Sequence, residues 1–120
     1  MPNTHLTYCP ACGLQGLEYV EKQFRCPACH LELFFNPGTA VCAIILNRQG
    51  HLLVVIRAHE PKQGAWDLPG GFVDPGETAE HAICREVLEE LNVALENIAY
   101  LCSAANCHYP YKGITYQTTD

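Results

Sequence analysis

The sequence predicts a protein of the α/β class in which a small four-cysteine unit precedes the main domain. Two near-identical Cys-Pro-Ala-Cys turns lie within the first 30 residues, and apolar, β-branched runs and an amphipathic helix follow them. Hydrophobic residues make up 48% of the chain and charged residues 17%, which is enough to build a packed interior. The Asn36-Pro37-Gly38 turn marks the boundary, so we expect one unit over 1–36 and a second over 37–120.

The four cysteines of the first unit are spaced as ligands of one metal ion. Cys9 and Cys12 form one pair, and Cys26 and Cys29 repeat it after 13 intervening residues. Four thiolates suit the closed tetrahedral coordination of structural zinc, and segment 17–24 can form a hairpin between the pairs. Redox-active pairs or disulfides are the alternative, which the paired symmetry disfavours. The pattern resembles a zinc ribbon, in which Zn²⁺ would supply most of the folding free energy.

The second unit is predicted to contain strands and one helix. Its apolar runs predict four strands, which span 39–46, 51–56, 98–104 and 114–118. Trp66 and Leu68 are expected to be packing residues, although aromatic residues such as Trp66, Phe72 and Tyr109 can also stack on a base. The cysteines outside the ribbon have no metal-ligand spacing and are predicted to be small core residues. These are Cys42, Cys84, Cys102 and Cys107.

The predicted helix, 78–91, presents three carboxylates on one surface. Thr78 is the expected N-cap, and apolar residues that recur every four positions should face the core. Glu86, Glu89 and Glu90 lie beside this apolar stripe and repel one another. A solvated acidic face is one explanation of the three glutamates. The other is a site for Mg²⁺ or Mn²⁺, which prefer hard oxygen ligands.

Residues 70–93 favour the metal site, because they match a known motif at all but one of its specified positions. They read Gly-Gly-Phe-Val-Asp-Pro-Gly-Glu-Thr-Ala-Glu-His-Ala-Ile-Cys-Arg-Glu-Val-Leu-Glu-Glu-Leu-Asn-Val. This resembles the Nudix box, with matches at Gly71, Glu77, Arg85, Glu86, Val87, Glu89, Glu90 and Val93. The second glycine of the box is Asn92 here, and asparagine tolerates the left-handed conformation that a helix end often requires. We therefore expect the loop geometry to be kept.

The resemblance implies a loop-helix-loop in an α/β/α sandwich, and hydrolysis of a pyrophosphate bond in a nucleoside diphosphate joined to another group. Glu86 and Glu90 would be the main Mg²⁺ or Mn²⁺ ligands, and Glu89 either a ligand or part of the machinery that activates water. The general base stays unassigned. The resemblance also implies that Glu77 would pair with Arg85 and so hold the loop against the helix. Gly70 and Gly71 would let the backbone come close to the metal ions and the phosphates.

A four-cysteine ribbon before a Nudix domain resembles the NADH pyrophosphatases and their zinc-ribbon relatives, over residues 9–120. Those that act on NADH carry Ser-Gln-Pro-Trp-Pro-Phe-Pro soon after the box, whereas segment 103–111 reads Ser-Ala-Ala-Asn-Cys-His-Tyr-Pro-Tyr. Dinucleotides, ADP-ribose and ADP-sugars are therefore the expected class of small-molecule partner. The Nudix fold usually continues past 114–118, so we expect a C-terminally short domain whose exposed sheet edge favours a homodimer.

Charge and hydropathy limit the classes of partner and the cellular location that we expect for this protein. The formal net charge of −6 disfavours binding to nucleic acid, although bound cations would let an acidic surface accept phosphate. The sequence has no membrane-length apolar run, and residues 1–5 lack the features of a signal peptide, so we expect a cytoplasmic protein without membrane contact. The alternative function is a non-catalytic module that senses a nucleotide and docks a partner through the ribbon.

Overall fold

The computed structural model describes residues 6–120, apart from the side chain of Cys107. Residues 1–5, on which the expectation about a signal peptide rests, lie outside the described residues. Among the described residues, no helix combines the length and the apolar character that crossing a membrane requires. The elements of the described chain are β1 (Glu18–Val20), β2 (Gln23–Arg25), β3 (Glu32–Phe34), β4 (Gly38–Cys42), β5 (Val55–Ile56), β6 (Trp66–Asp67), β7 (Gly70–Phe72), α1 (Ala79–Leu91), β8 (Ala105–Tyr111) and β9 (Ile114–Thr119).

The N-terminal strands form an antiparallel three-stranded sheet in the order β1-β2-β3. Phe24 lies opposite both Tyr19 and Leu33 and is only 2% exposed. Its ring contacts Tyr19 and Phe35 edge to face, with centroids 5.0 and 6.3 Å apart. The hairpin predicted over 17–24 is therefore present as β1 and β2, and Phe24 is the apolar centre of this small unit.

The main sheet has the order β7-β4-β9-β8, with β4 in its interior. Strand β4 pairs antiparallel with β7, where Cys42 lies opposite Gly70, and parallel with β9, where Gly38 lies opposite Thr118. Strands β8 and β9 form an antiparallel hairpin. This mixed topology brings the glycine-rich start of β7 directly beside the central strand.

Helix α1 packs on β4 and defines the core of the second unit. Ile83 and Val87 of the helix are buried together with Ala43, the residue that follows β4. The helix begins as predicted, because Thr78 Oγ1 accepts a hydrogen bond from the His81 amide at 3.2 Å. Its end is also as predicted: Asn92 has a φ of 54° and a ψ of 38°, and its amide donates to Leu88.

The prediction of a strand over 98–104 is wrong. The structure has β8 at Ala105–Tyr111, and only Ala104 at the end of the predicted segment pairs with Asp120. The reason is the turn at Lys112 and Gly113, which have φ angles of 48° and 79°. Two successive positive φ values are typical of a tight hairpin turn, and this turn sets the register of the strands on either side.

The strands predicted over 39–46 and 51–56 are present in shortened form as β4 and β5, and the strand predicted over 114–118 is present as β9. A turn does join 39–46 to 51–56, and the Asn47 side chain stabilises it by accepting from the amides of Gln49 and His51. Beyond this turn, Val55 and Ile56 pair with β6 instead. The packing function predicted for Trp66 is wrong, since 80% of it is exposed. The prediction of buried cysteines also fails at Cys42 and Cys102, which are exposed, while Cys84 is half-buried.

Candidate active site and metal site

The four cysteines of the ribbon converge on one point. Their sulfur atoms all lie within 4.8 Å of one another. The Sγ atoms of Cys9 and Cys29 are 3.6 Å apart, and those of Cys12 and Cys26 are also 3.6 Å apart. A tetrahedral site with Zn–S bonds of about 2.3 Å requires sulfur separations of roughly 3.8 Å. The cluster therefore fits a single tetrahedral metal ion.

The two halves of this site have the same backbone structure. The Cys9 carbonyl accepts from the Gly13 amide at 2.9 Å, and the Cys26 carbonyl accepts from the His30 amide at 3.1 Å. Gly13 and His30 both have positive φ angles, 75° and 60°. His30 thus acts as the turn residue of the second knuckle, in the position that glycine takes in the first.

The Nudix box places two glutamates against the glycines of β7. The Glu90 carboxylate accepts a hydrogen bond from the Gly70 amide at 3.2 Å. A Cβ atom on Gly71 would lie 2.7 Å from Glu86 Oε2, and one on Gly70 would lie 2.7 Å from the Cα of Cys42. Both values are below the closest approach that real side chains make. Glycine is thus required at Gly70 to let β7 approach β4, whereas a side chain at Gly71 would have to displace the Glu86 carboxylate.

Arg85 is the centre of an ion-pair network that links the loop to the helix. Its Nε and Nη2 atoms donate to the two carboxylate oxygens of Glu77, both at 2.9 Å. Nη1 donates to Glu86 at 2.8 Å, and Nη2 also donates to the Phe72 carbonyl at 3.0 Å. Two longer contacts join Nη1 to the largely exposed Glu89 at 3.5 Å and Nη2 to Asp74 Oδ2 at 3.8 Å. The arginine holds the carboxylate of Glu86 in place from one side.

The electrostatics differ between the glutamates of the box. The hydrogen bonds from Arg85, with help from the Asp74 amide, lower the pKa of Glu77. The pKa of Glu90 is instead raised, mainly by partial burial of its carboxyl group and further by the nearby charge of Glu86. Glu90 therefore carries a negative charge that its protein surroundings do not fully stabilise. A bound cation would provide that stabilisation.

Glu90 borders a cleft of about 550 Å³. Its walls include Gly70, Gly71 and the aromatic pair Phe72 and Tyr109, whose rings meet edge to face with centroids 6.1 Å apart. Glu86 and Glu89 are not among the residues that line it. The structure thus brings the glycines and Glu90 to the cleft, while Glu86 lies behind Gly71 and Glu89 remains on the outer side of Arg85.

Arg57 and Asp67 also line this cleft, and sequence patterns did not single them out as site residues. Their charged groups form an ion pair of 2.6 Å. Arg57 directly follows β5, and Asp67 ends β6, so the pairing of the two short strands brings them together. The one sequence feature that could have pointed to this pair is Arg57 itself, a basic residue at the end of an apolar run and just before a segment rich in acidic residues.

Comparisons with known proteins find relatives in sequence and in fold. The NAD-capped RNA hydrolase NudC of Photorhabdus laumondii is 33% identical over 97 residues, which make up 80% of this chain and 37% of that protein. The chain therefore spans little more than a third of the length of this curated relative. A crystal structure of a NUDIX hydrolase from Nitrosomonas europaea is similar with a TM-score of 0.63 at 27% identity, covering 95% of this chain and 64% of that one.

A second solved structure with the same type of fold is a bifunctional NMN adenylyltransferase/ADP ribose pyrophosphatase from Francisella tularensis. It has a TM-score of 0.53 at 32% identity and covers 72% of this chain and 26% of that one. The fold is thus of the predicted α/β, Nudix-like class with a four-cysteine cluster near its N-terminus. The family model of the NUDIX domain matches residues 36–118, which contain the box, helix α1 and all residues that line the cleft except Asp120. The chain belongs to the NUDIX family.

Proposed function

We propose that this chain hydrolyses a pyrophosphate bond in a nucleoside diphosphate joined to another group, with Mg²⁺ or Mn²⁺ as the cofactor. The observation that carries the proposal is the position of Glu90. Its carboxylate lies at the edge of a cleft of about 550 Å³, next to the Gly70 amide and close to Glu86. A cleft of this size is in the usual range for a small-molecule ligand.

The three glutamates have the oxygen chemistry that a hard divalent cation prefers. Glu86, Glu89 and Glu90 all lie on α1. Among the described residues only the four cysteines already bring their ligand atoms within 4.8 Å of one another, so a cation would draw the glutamate side chains together on binding. The raised pKa of Glu90 supports this proposal, because it indicates negative charge that has no full partner within the protein. When bound, Mg²⁺ or Mn²⁺ neutralises phosphate charge and lowers the pKa of an attacking water.

The chain's own residues have distinct functions in this proposal. Gly70 and Gly71 line the cleft, and we propose that a diphosphate approaches their backbone there. Arg85 holds Glu86 and anchors the loop through Glu77. We further propose that the four cysteines hold Zn²⁺ in a structural role, because four sulfur ligands leave no open position for water or substrate.

The relatives support dinucleotides and ADP-ribose as the class of substrate. One relative is named for NAD-capped RNA and one structural neighbour for ADP ribose. Both names describe a nucleoside diphosphate joined to a second group. The net charge of −6 gives no attraction for the body of an RNA, so we propose that recognition is confined to the small diphosphate-containing end.

Measuring turnover with and without the Glu90 carboxylate tests the proposal. ADP-ribose, NADH and an NAD-capped RNA would each be incubated with Mg²⁺ or Mn²⁺, and mononucleotide release would be followed by chromatography. We expect Glu90→Gln to lower kcat by about 100-fold or more, since it removes a metal ligand while keeping the side-chain volume. Glu96→Gln is the matched control, because Glu96 makes no hydrogen bond or ion pair within residues 6–120, and it should retain full turnover.

Equal turnover of Glu90→Gln and the wild type would exclude this site. The alternative, a non-catalytic module that senses a nucleotide and docks a partner, is favoured by exposed apolar residues on the ribbon. Val20 and Phe34 lie on either side of Gln23 in the three-stranded sheet and are 40% and 63% exposed. Saturable nucleotide binding without any product after long incubation with Mn²⁺ would support this alternative.

A further inference from the structure

The cleft beside Glu90 contains one arginine, and its guanidinium is fixed at three points. Arg57 Nε donates to the Pro61 carbonyl at 2.6 Å, and Nη1 donates to Asp67 Oδ2 at 2.6 Å. A longer contact of 3.4 Å joins Nη2 to the hydroxyl of Tyr109. These contacts come from the connection that follows β5, from β6 and from β8, so three separate segments position one side chain.

The contacts leave part of the guanidinium available. Arginine has five N–H donors in a planar fork, and the partners named above use three of them, one at a long distance. The Arg57 side chain is 24% exposed. It therefore retains donors and some access to solvent while its orientation is fixed, which lowers the entropic cost of binding a ligand.

The charges around Arg57 indicate which ligand would benefit. Among the described residues that line the cleft, the side chains with carboxylates are Asp67, Glu90 and Asp120, and Arg57 is the only lysine or arginine. The hydrogen bond with Asp67 raises the pKa of Arg57, so the guanidinium stays charged at any physiological pH. An anionic ligand would be repelled from most of this cleft, and Arg57 is the fixed positive group that can attract it.

We propose that Arg57 is a substrate-binding residue whose guanidinium donates to phosphoryl oxygens of the diphosphate. The inference rests on the proposed function and deepens it, because it assigns recognition of the anion to a residue outside the Nudix box. Cations held by the glutamates would neutralise one part of the diphosphate, and Arg57 would bind oxygens that those cations leave free. The planar fork matches the geometry of phosphate, which a lysine ammonium cannot reproduce.

The experiment compares Arg57→Gln and Arg57→Lys with the wild type in the full chain. The Kd for ADP-ribose is measured by calorimetry in the presence of Ca²⁺, and KM and kcat are measured with Mg²⁺. We expect Arg57→Gln to raise Kd and KM for ADP-ribose by about tenfold or more, since charged hydrogen bonds to phosphate are lost, with a smaller change in kcat. Arg57→Lys should give an intermediate value, because it keeps the charge without the fork.

Two controls separate anion binding from a structural function. Arg25→Gln removes the same charge from an exposed pair with Glu32 on the ribbon sheet, and it should leave Kd unchanged. Adenosine, which has no phosphate, should bind wild type and Arg57→Gln with equal affinity. If Arg57→Gln fails to fold by circular dichroism, the smaller rise of Kd expected for Arg57→Lys decides the question, since that variant keeps the charge and loses only the fork.

The outcomes distinguish this inference from the proposed function. An unchanged Kd for ADP-ribose in both Arg57 variants, or an equal loss of adenosine binding, would overturn the inference while leaving hydrolysis intact. Binding that depends on Arg57 without any hydrolysis would support the inference and contradict the proposed function. Failure of the wild type to bind either ADP-ribose or NADH would overturn both.

Discussion

At the scale of single residues, the close approach of Gly71 to Glu86 links the start of β7 to a predicted metal ligand. The Glu86 carboxylate occupies the volume in which a side chain at position 71 would start. It is also held from the other side by Arg85 Nη1 at 2.8 Å. Glu86 therefore has little freedom to move, and a small change at Gly71 should displace it.

We predict that Gly71→Ala lowers turnover by about 100-fold, because displacement of a catalytic group by about 1 Å can have an effect of that size. Overpacking should also lower the free energy of unfolding by roughly 1–3 kcal/mol. The double variant Gly71→Ala with Glu86→Ala should recover stability, since the clashing carboxylate is gone, but not activity. The measurement is a double-mutant cycle, in which urea unfolding and turnover are compared for the wild type, Gly71→Ala, Glu86→Ala and the double variant.

A Gly71→Ala variant with wild-type turnover would show that the position of Glu86 does not limit activity. Additive losses of stability in the double variant would show that the two residues do not interact through the predicted clash. Either result would contradict the arrangement described for the start of β7.

At the scale of elements, both ends of helix α1 could be predicted from the sequence. Its N-cap at Thr78 and its left-handed end at Asn92 were predicted, because capping depends on local chemistry that few residues encode. The prediction of a strand over 98–104 was wrong. A strand needs a partner strand, and the turn at Lys112 and Gly113 places residues 105–111 opposite β9 instead. The box residues could be predicted from spacing, whereas Arg57 and Asp67 meet only through the pairing of β5 with β6.

The stability of the junction between α1 and the loop before it should depend on pH, because the ion pair of Glu77 with Arg85 contributes to it. Arg85 lowers the pKa of Glu77 in the folded protein below its unfolded value, which is about 4.3. A lowered carboxyl pKa contributes stability that is present above the unfolded pKa and is lost as the pH falls through the folded pKa. We predict that the stability difference between the wild type and Glu77→Gln is full at about pH 6 and shrinks below about pH 4.

Urea unfolding of both proteins between pH 3 and pH 7 measures this difference, and other titrating groups cancel in the comparison. Glu96→Gln is again the matched control and should show no such dependence. A difference that stays constant over the whole range would mean that the charge of Glu77 does not stabilise the junction.

At the scale of the whole molecule, the chain has two centres of stability of different kinds. The ribbon has Phe24, Cys9 and Cys26 as its buried apolar residues, whereas the core of the second unit is built from β4 and α1. So small a set of buried side chains cannot stabilise a unit of about 30 residues, and a bound metal would supply the difference. The division of the chain into units over 1–36 and 37–120 stays a prediction, which rests on the two Cys-x-x-Cys pairs and the Asn36-Pro37-Gly38 turn.

We predict that removal of zinc unfolds the ribbon and leaves the second unit folded. The full chain would be treated with 1,10-phenanthroline, and backbone amide signals would be followed by NMR together with the zinc content. Signals of residues 6–36 should lose their dispersion as the metal leaves, because the four thiolates then have no common partner, while those of α1 should keep their positions. Cys26→Ser, which removes a fully buried ligand, should reproduce the effect without chelator, whereas Cys102→Ser should not. Loss of the α1 signals at the same metal concentration would show that the two units fold as one, and unchanged ribbon signals after complete loss of zinc would show that the ribbon does not need the metal.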